Sequence, residues 1–398
     1  MDRRRKAIIV GGGIGGLTAA IALRGAGIEA TVYERAPELK EIGAGIALAS
    51  NAMSVFAALG LADQITSHGL PLASGAIRTW KGNIIAEAPA DEAHQFISVC
   101  VHRVDLQRVL ATALGEEHLR LGYECVGFQQ RSDGVVAEFA GGEEAQGDFL
   151  VGADGFHSVV RGRLHGTERP RYAGYTAWRA VTTFKIQPTT SESWGHGKRF
   201  GIVPIGGSRV YWFATKNAPE GQPEHPEGRK QELLDLFKGW HPPIADLIEA
   251  TDPEAILRHD LYDRKPMKRS WGEGRVTLLG DAAHPTTPNL GQGACQAIEG
   301  ALVLAQQLRS AMDIAAALRR YEAQRLPRTA FITNLSWRIG RMAQLENPIL
   351  CWFRNTALRV VPVGIQTKQL RKVLEFEVTG FDGGVGGDGG PVDRKDTS

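Results

Sequence analysis

Three glycines and an acid carry the first chemistry legible in this chain. Gly11, Gly13 and Gly16 form G-x-G-x-x-G within KAIIVGGGIGGLTAAIALRGAGIEATVYER, and Glu34 lies at the end of the same stretch. The first glycine permits a tight turn, the second admits a pyrophosphate to the backbone, and the third lets a helix and a strand pack closely. A helix starting at Ile14 would point its N-terminal N–H groups at the phosphates, and an acid about 20 residues on would accept ribose hydroxyls. A second acid, Asp281, follows the apolar run VTLLG and precedes AAHPTTPNLGQGACQAIEGA, where Gly291 and Gly293 lead into a helical pattern. That order sets a carboxylate at a strand end beside a glycine-opened helix N-terminus, a place for an anionic or dipolar ligand. A third segment, LVGADGFHSVVR at residues 150–161, joins an apolar strand to Asp154-Gly155, Ser158 and Arg161.

These groups need an αβ frame. Residues 7–10 predict a buried strand. Residues 14–25 predict a helix with Leu17, Ala20, Ile21 and Leu23 inside, closed by Gly27, and EATVYE predicts the next strand. The order strand, helix, strand, acid points to a dinucleotide and leaves NAD and FAD both open. The bulk numbers exclude other classes. The 398 residues hold 46 Lys or Arg against 44 Asp or Glu, a net charge of +2, so no basic field suits nucleic acid. Four scattered cysteines lack any C-x-x-C pair, and the histidines lack metal-binding spacing, so neither a disulfide frame nor a metal site is expected. G-x-S-x-G, a P-loop lysine motif and a paired-carboxylate constellation are all missing. The basic start leads only to AIIV, and no 18-residue apolar span follows, which suggests a soluble, cytoplasmic protein without a transmembrane segment.

Between residues 171 and 272, YAGYTAWRAVTTF, RFGIVPIGG and RVYWFATKN predict antiparallel strands, and residues 226–250 an amphipathic helix bearing Leu233, Leu234, Leu236 and Phe237. Tyr175, Trp178, Arg199, Phe200, Tyr211, Trp212 and Phe213 are candidate pocket groups, with Tyr211 and Phe213 on one face and Trp212 on the other. Arg199 and Tyr211 lead, because a cation and a hydroxyl can orient a phenolate, carboxylate or oxo-heterocycle. Asn289 is expected to face the same space. The C-terminal part predicts helices interrupted at Pro327, Pro348 and Pro362, packed behind the first domain, with a membrane or dimer surface as the alternative. Residues 379–398 are glycine-rich and polar and predict a disordered tail.

The three motifs in this order resemble the class A flavin-dependent aromatic monooxygenases, the family of salicylate, hydroxybenzoate and FAD-dependent urate hydroxylases, from about residue 6 to residue 375. The resemblance implies an α/β fold: a Rossmann-like FAD-binding domain of the hydroxybenzoate hydroxylase type, an interleaved antiparallel β-sheet substrate domain and C-terminal helices. The chain would divide into FAD-binding parts 1–70, 100–170 and 273–335, substrate-domain parts 71–99 and 171–272, helices 336–378 and the tail. It gives the ADP half of FAD to Gly11, Gly13, Ile14, Gly16, Glu34 and Arg35, with Arg103, Gln107, Val126 and Asp154 as further cofactor contacts. Asp281 falls on the ribityl chain, while Ala47, Pro288, Gly291, Gln292, Gly293, Ala294 and Cys295 fall around the flavin ring. Relatives often carry Pro at the position of Ser50, a tolerated turn change, and many carry Asn and Asp at those of Cys295 and Gly300; the latter departure bears on helix capping or packing.

The implied activity is hydroxylation of a small aromatic substrate by O2 through a C4a-hydroperoxyflavin, catalysed around Arg199, Tyr211 and Asn289. NADH or NADPH would be a transient reductant, because the sequence shows no second dinucleotide-binding unit. A reductase or halogenase of the same fold, or a flavin-loaded binding protein without turnover, are the rival readings; the halogenase motif W-x-W-x-I-P is missing at Trp178. Monomer and homodimer remain equally open.

Overall fold

The computed structural model describes residues 4–39, 44–72, 75–87, 98–361 and 363–381. Its centre is a five-stranded parallel sheet in the order Val276–Leu278, Phe149–Gly152, Lys6–Val10, Glu29–Glu34 and Leu119–Leu121. Ala7, Ile8, Ile9 and Val10 are all buried, the continuous apolar run expected of a parallel strand covered on both faces. The helix Ile14–Gly25 packs on this sheet and against the helix Gly293–Arg309, so the glycine-rich fingerprint and the loop after Asp281 face each other. The Rossmann-like expectation holds.

A seven-stranded sheet supplies the second layer. Its order is Leu257–Asp263, Arg171–Thr183, Arg209–Asn217, Lys198–Pro204, Thr190–Trp194, Gly75–Thr79 and Ile84–Glu87, antiparallel except where Thr190–Trp194 meets Gly75–Thr79. Side chains alternate between its faces. Trp178, Phe200 and Trp212 point to one face and form a core with Leu233, Phe237, Ile244 and Leu247. These three residues are therefore core, not pocket as the sequence suggested. The expected helix over 226–250 is two pieces, Gly228–Leu236 and Ile244–Glu249, separated by the stretch holding Pro242 and Pro243.

The C-terminal part begins with one 30-residue helix, Ile314–Ala343, that runs straight through Pro327. Proline removes one backbone hydrogen bond there, yet Tyr321, Arg325, Thr329, Ile332 and Ser336 are buried on either side, and packing outweighs the local defect. Pro348 opens the next helix, Pro348–Val360, at a position where its missing N–H costs nothing. Pro362 lies outside the described residues, as do residues 382–398 of the expected tail. The tail's first residues are not loose: Phe381 is buried in the main core, and Gln306 and Arg309 donate to the carbonyls of Thr379 and Gly380.

Three helices meet at Glu299, a carboxylate with no solvent exposure. Arg325 donates to it at 2.5 Å, Arg328 at 2.6 and 2.7 Å, Asn51 at 2.6 Å and Gln296 at 3.0 Å. Burial would raise its pKa, but the hydrogen bonds and charges of Arg328 and Arg325 outweigh that and hold it below the usual range. Gly300, its neighbour, tightens the packing rather than weakening it: a Cβ there would stand 2.9 Å from Leu279 Cδ1. Breaking a buried pair costs about 3–5 kcal/mol. Glu299→Gln should lower the free energy of urea unfolding by that amount; a loss under about 1 kcal/mol would deny the network its structural role.

Candidate functional site

At the fingerprint, Gly11 has φ +108°, and a Cβ there would strike the Ala153 carbonyl, so the turn requires glycine. A Cβ at Gly13 would meet nothing within 4 Å. The space in front of that residue is open, as a bound phosphate group needs. Glu34 accepts the N–H of Gly12 at 2.6 Å and of Ala36 at 3.0 Å, which fixes its carboxylate at the end of its strand with lone pairs left for a sugar. Gln107 donates to the Gly12 carbonyl at 3.0 Å and braces the same turn.

The second and third motifs are wired together. Both oxygens of Asp154 serve the helix Val159–His165, accepting from Ser158 Oγ at 2.5 Å and from the N–H groups of Val159 and Val160. Burial raises the Asp154 pKa, and those hydrogen bonds oppose it. Arg161 then reaches across to the carbonyls of Ala282 and Ala283 at 3.1 and 3.2 Å. The Asp154 segment thus holds the loop that presents Asp281.

A cavity of about 870 Å³ joins these parts. It runs from Gly13, Ile14 and Gly15 past Arg103 and Asp281 to Gly291, Gly293 and Ala294, and ends on the seven-stranded sheet. Two helices open into it, Ile14–Gly25 and Gly293–Arg309. Neither has a side-chain cap nor an acid in its first turn. Elsewhere Asp313 and Asn347 cap their helices with their own oxygens. Two uncapped N-termini facing one cavity leave backbone N–H groups for an anionic ligand, and a dinucleotide with a reducible ring is a fitting one. Solvent reaches Asp281 through the cavity, but protein surrounds it. Burial raises its pKa and the charge of Arg103 draws it back.

The cavity floor is the other face of the sheet, arranged in ranks. In one rank, Ala177 pairs with Thr215 and Thr215 with Arg199. In the next, Arg179 pairs with Phe213, Phe213 with Gly201, and Gly201 with Glu192. Tyr211 follows, lying against Gly45, where a Cβ would stand 2.5 Å from that of Tyr211. Burial pushes the Tyr211 hydroxyl above its ordinary pKa against the lowering charge of Arg179, so it stays a neutral donor.

Arg199 is 3% exposed and tightly held. It donates to Gln344 at 2.8 Å, Glu192 at 3.0 Å and Asn289 at 2.8 Å. Asn289 Oδ1 also accepts from Tyr175 at 3.1 Å, while its NH2 donates to Thr287 Oγ1 and the Ser336 carbonyl. All its side-chain capacity is used within the protein, which makes Asn289 a positioning residue.

Of the residues expected from sequence, Gly13, Ile14, Ala47, Arg103, Asp281, Pro288, Asn289, Gly291, Gly293, Ala294, Arg199 and Tyr211 line the cavity. Others do not. Gln292 and Cys295 are buried behind the wall, Gln292 against Asn51 and Gln296, and Cys295 against the carbonyls of Ala47 and Gly291. Val126 is 43% exposed on the strand Cys125–Gln130 and is not part of the cavity lining, and Arg35 faces solvent. Ser50 stands at the first helical position of Ser50–Ala58, where proline also fits, and donates to Leu374 O. His284 packs beside Trp271, its pKa pushed down to about 3 by burial and by Arg325, and is a neutral packing group.

The sequence reading passed over Arg179. It lines the floor and forms no hydrogen bond or ion pair among the described residues. Glu192 sits three strand spacings away, roughly 14 Å, and is engaged by Arg199 and Trp194. The alternation of AWRAV would have found Arg179, because it must point opposite to Trp178.

The family model described as FAD binding domain matches residues 4–336. The aurachin C monooxygenase/isomerase of Stigmatella aurantiaca is 46% identical over 375 residues, 93% of this chain and 97% of that protein. An FAD-dependent urate hydroxylase of Klebsiella pneumoniae is 39% identical over 332 residues, 81% of this chain and 86% of that one. The crystal structure of Klebsiella pneumoniae HpxO complexed with FAD and uric acid matches with a TM-score of 0.87 and 34% identity, covering 93% of this chain and 96% of that chain.

Proposed function

The chain belongs to the FAD-binding family of flavin-dependent monooxygenases, and from that premise we propose that it hydroxylates a small aromatic or heteroaromatic molecule, using FAD, O2 and NADH or NADPH. One observation carries the reading: a single cavity joins two uncapped helix N-termini to a sheet face bearing Arg179, Arg199, Tyr211 and Phe213. When bound, the flavin supplies the activation of dioxygen. The nicotinamide is a transient visitor in this reading.

The protein's own part is binding, orientation and water exclusion. Gly11–Ile14 and Glu34 would hold the ADP half, Arg103 and Asp281 the middle, and the first turn of Gly293–Arg309 the ring. The partial positive charge of that turn, worth about 0.3–2 kcal/mol, favours a reduced and anionic ring. Phe213 offers the substrate an aromatic face, and Tyr211 donates its hydroxyl hydrogen to a substrate oxygen. Arg199 is neutralised by Glu192 and locked by Gln344 and Asn289, so it acts through a fixed hydrogen-bond direction. Arg179 has no such counter-charge among the described residues and selects substrates with a carboxylate, phenolate or strongly polarised carbonyl oxygen.

Purified protein loaded with FAD, given NADH or NADPH and a panel of phenols, purines and quinolones, tests the reading. A stimulated rate with a product heavier by one oxygen is expected. Anaerobic consumption of nicotinamide in proportion to substrate would instead make it a reductase, and ligand binding without turnover a binding protein. Loss of the Asp281 carboxylate in Asp281→Ala should weaken FAD retention about 10- to 100-fold by equilibrium dialysis; unchanged retention would remove Asp281 from the cofactor site. Arg179→Ala should raise KM for anionic panel members roughly tenfold or more while sparing neutral ones. An equal effect on both would deny it the selecting role.

A further inference from the structure

We propose that the outward face of the C-terminal helices Pro348–Val360 and Val363–Leu374 docks on an anionic lipid surface. The first helix is anchored by its inner side. Arg354 donates to the carbonyls of Met342 and Ala343, Cys351 lies against Leu345 O, and Leu358 joins Ile77, Ile85 and Trp194. Its other side is apolar and bare. Ile349 is 65% exposed, Leu350 50%, Trp352 61%, Phe353 59% and Val360 73%, and Leu370 on the next helix is 40% exposed. Ile349, Trp352, Phe353 and Val360 recur at helical spacing and form one stripe, with the half-buried Thr356 between them. Contiguous apolar surface of this kind marks an interaction site.

Charge selects the occupant. Between residues 348 and 374 stand five Arg or Lys and not one Asp or Glu, in a chain whose net charge is only +2. Arg354 is turned inward, Arg359 is exposed on the same helix, and Lys368, Arg371 and Lys372 are exposed on the next one. Arg371 has Glu375 at 3.8 Å, both open to solvent. A two-fold partner copy would bring this cationic rim against itself. An anionic bilayer satisfies both parts: aromatic and aliphatic side chains enter the interface and the basic rim meets the headgroups. The helices have 13 and 12 residues, too short to span, so the contact lies in the plane of the surface. Among the described residues no helix is long and apolar enough to cross a membrane. The face also adjoins the cavity, whose lining includes Leu370 and Leu374 as well as Ala86 and Glu87 of the strand on which the first helix packs.

The full-length, FAD-loaded protein is floated with vesicles of phosphatidylcholine alone or with about one third phosphatidylglycerol, at low and high salt. Binding at least about tenfold stronger to the anionic vesicles, and weakened by salt, is expected. The double variant Trp352→Ser/Phe353→Ser should lose that binding while keeping the wild-type flavin spectrum and melting temperature, and Lys368→Glu/Lys372→Glu should lose the preference for phosphatidylglycerol. Equal binding to both vesicle types, or undiminished binding by the Trp352/Phe353 variant, would overturn the proposal. So would no binding at all; a dimer in light scattering that the same variant dissolves would then assign the face to a second copy.

Discussion

A charge that cannot reach water dictates the geometry of this molecule. Glu299 has no exposure, and removing an ion from water costs several kcal/mol unless its partners are close and well aimed. Most of those partners come from elsewhere: Asn51 from the helix Ser50–Ala58 and Arg325 and Arg328 from Ile314–Ala343, while Gln296 belongs to Glu299's own helix. Satisfying one carboxylate therefore sets the separation of three helices. Two of them carry the cavity wall on their leading ends, Ala47 just before Ser50 and Gly291–Ala294 at the start of Gly293–Arg309. The network braces the wall from behind, where Asn51 and Gln296 donate to Gln292 as well as to Glu299.

The sheet opposite obeys a simpler rule. Alternation sends Trp178, Phe200 and Trp212 into a dry core and Arg179, Arg199, Tyr211 and Phe213 into the cavity. The two arginines differ by circumstance and not by kind. Arg199 has a carboxylate beside it and three fixed hydrogen bonds, so its field is largely cancelled while its direction is kept. Among the described residues Arg179 has no such partners, so its field is kept and its direction is freer. Gln344, just past the end of the long helix, accepts from both Arg199 and Thr215, so the C-terminal part of the chain reaches into the floor of the site.

Much of this was legible in the residues, and the failures have physical causes. Gly11, Gly13, Glu34 and Asp281 could be read because backbone approach and charge leave strict spacing in the sequence. Gln292 and Cys295 could not be told from Gly293 and Ala294, because successive helix residues differ by about 100° and only tertiary packing decides which side faces the cavity. The capping by Asp154 is a role its spacing to Ser158 and Val159 fits, and one that the strand-end acid alone did not reveal. Pro327 suggested a break, but local preference yielded to buried neighbours on both sides. For the sheet, Tyr211 against Trp212 was read correctly from alternation, whereas the same argument was not extended to Trp178 and Arg179.

The strand order has a consequence for how the protein comes into being. Phe149–Gly152 pairs on one side with Lys6–Val10 and on the other with Val276–Leu278. Glu299 then waits for Arg325 and Arg328. A ribosome adding about 5–20 residues per second leaves the sheet without its Val276–Leu278 edge for tens of seconds after the first strand is made. The glycine fingerprint is made more than 260 residues before the Gly291–Ala294 wall that faces it across the cavity. Nascent chains must therefore hold an incomplete, apolar parallel sheet until the Val276–Leu278 segment arrives.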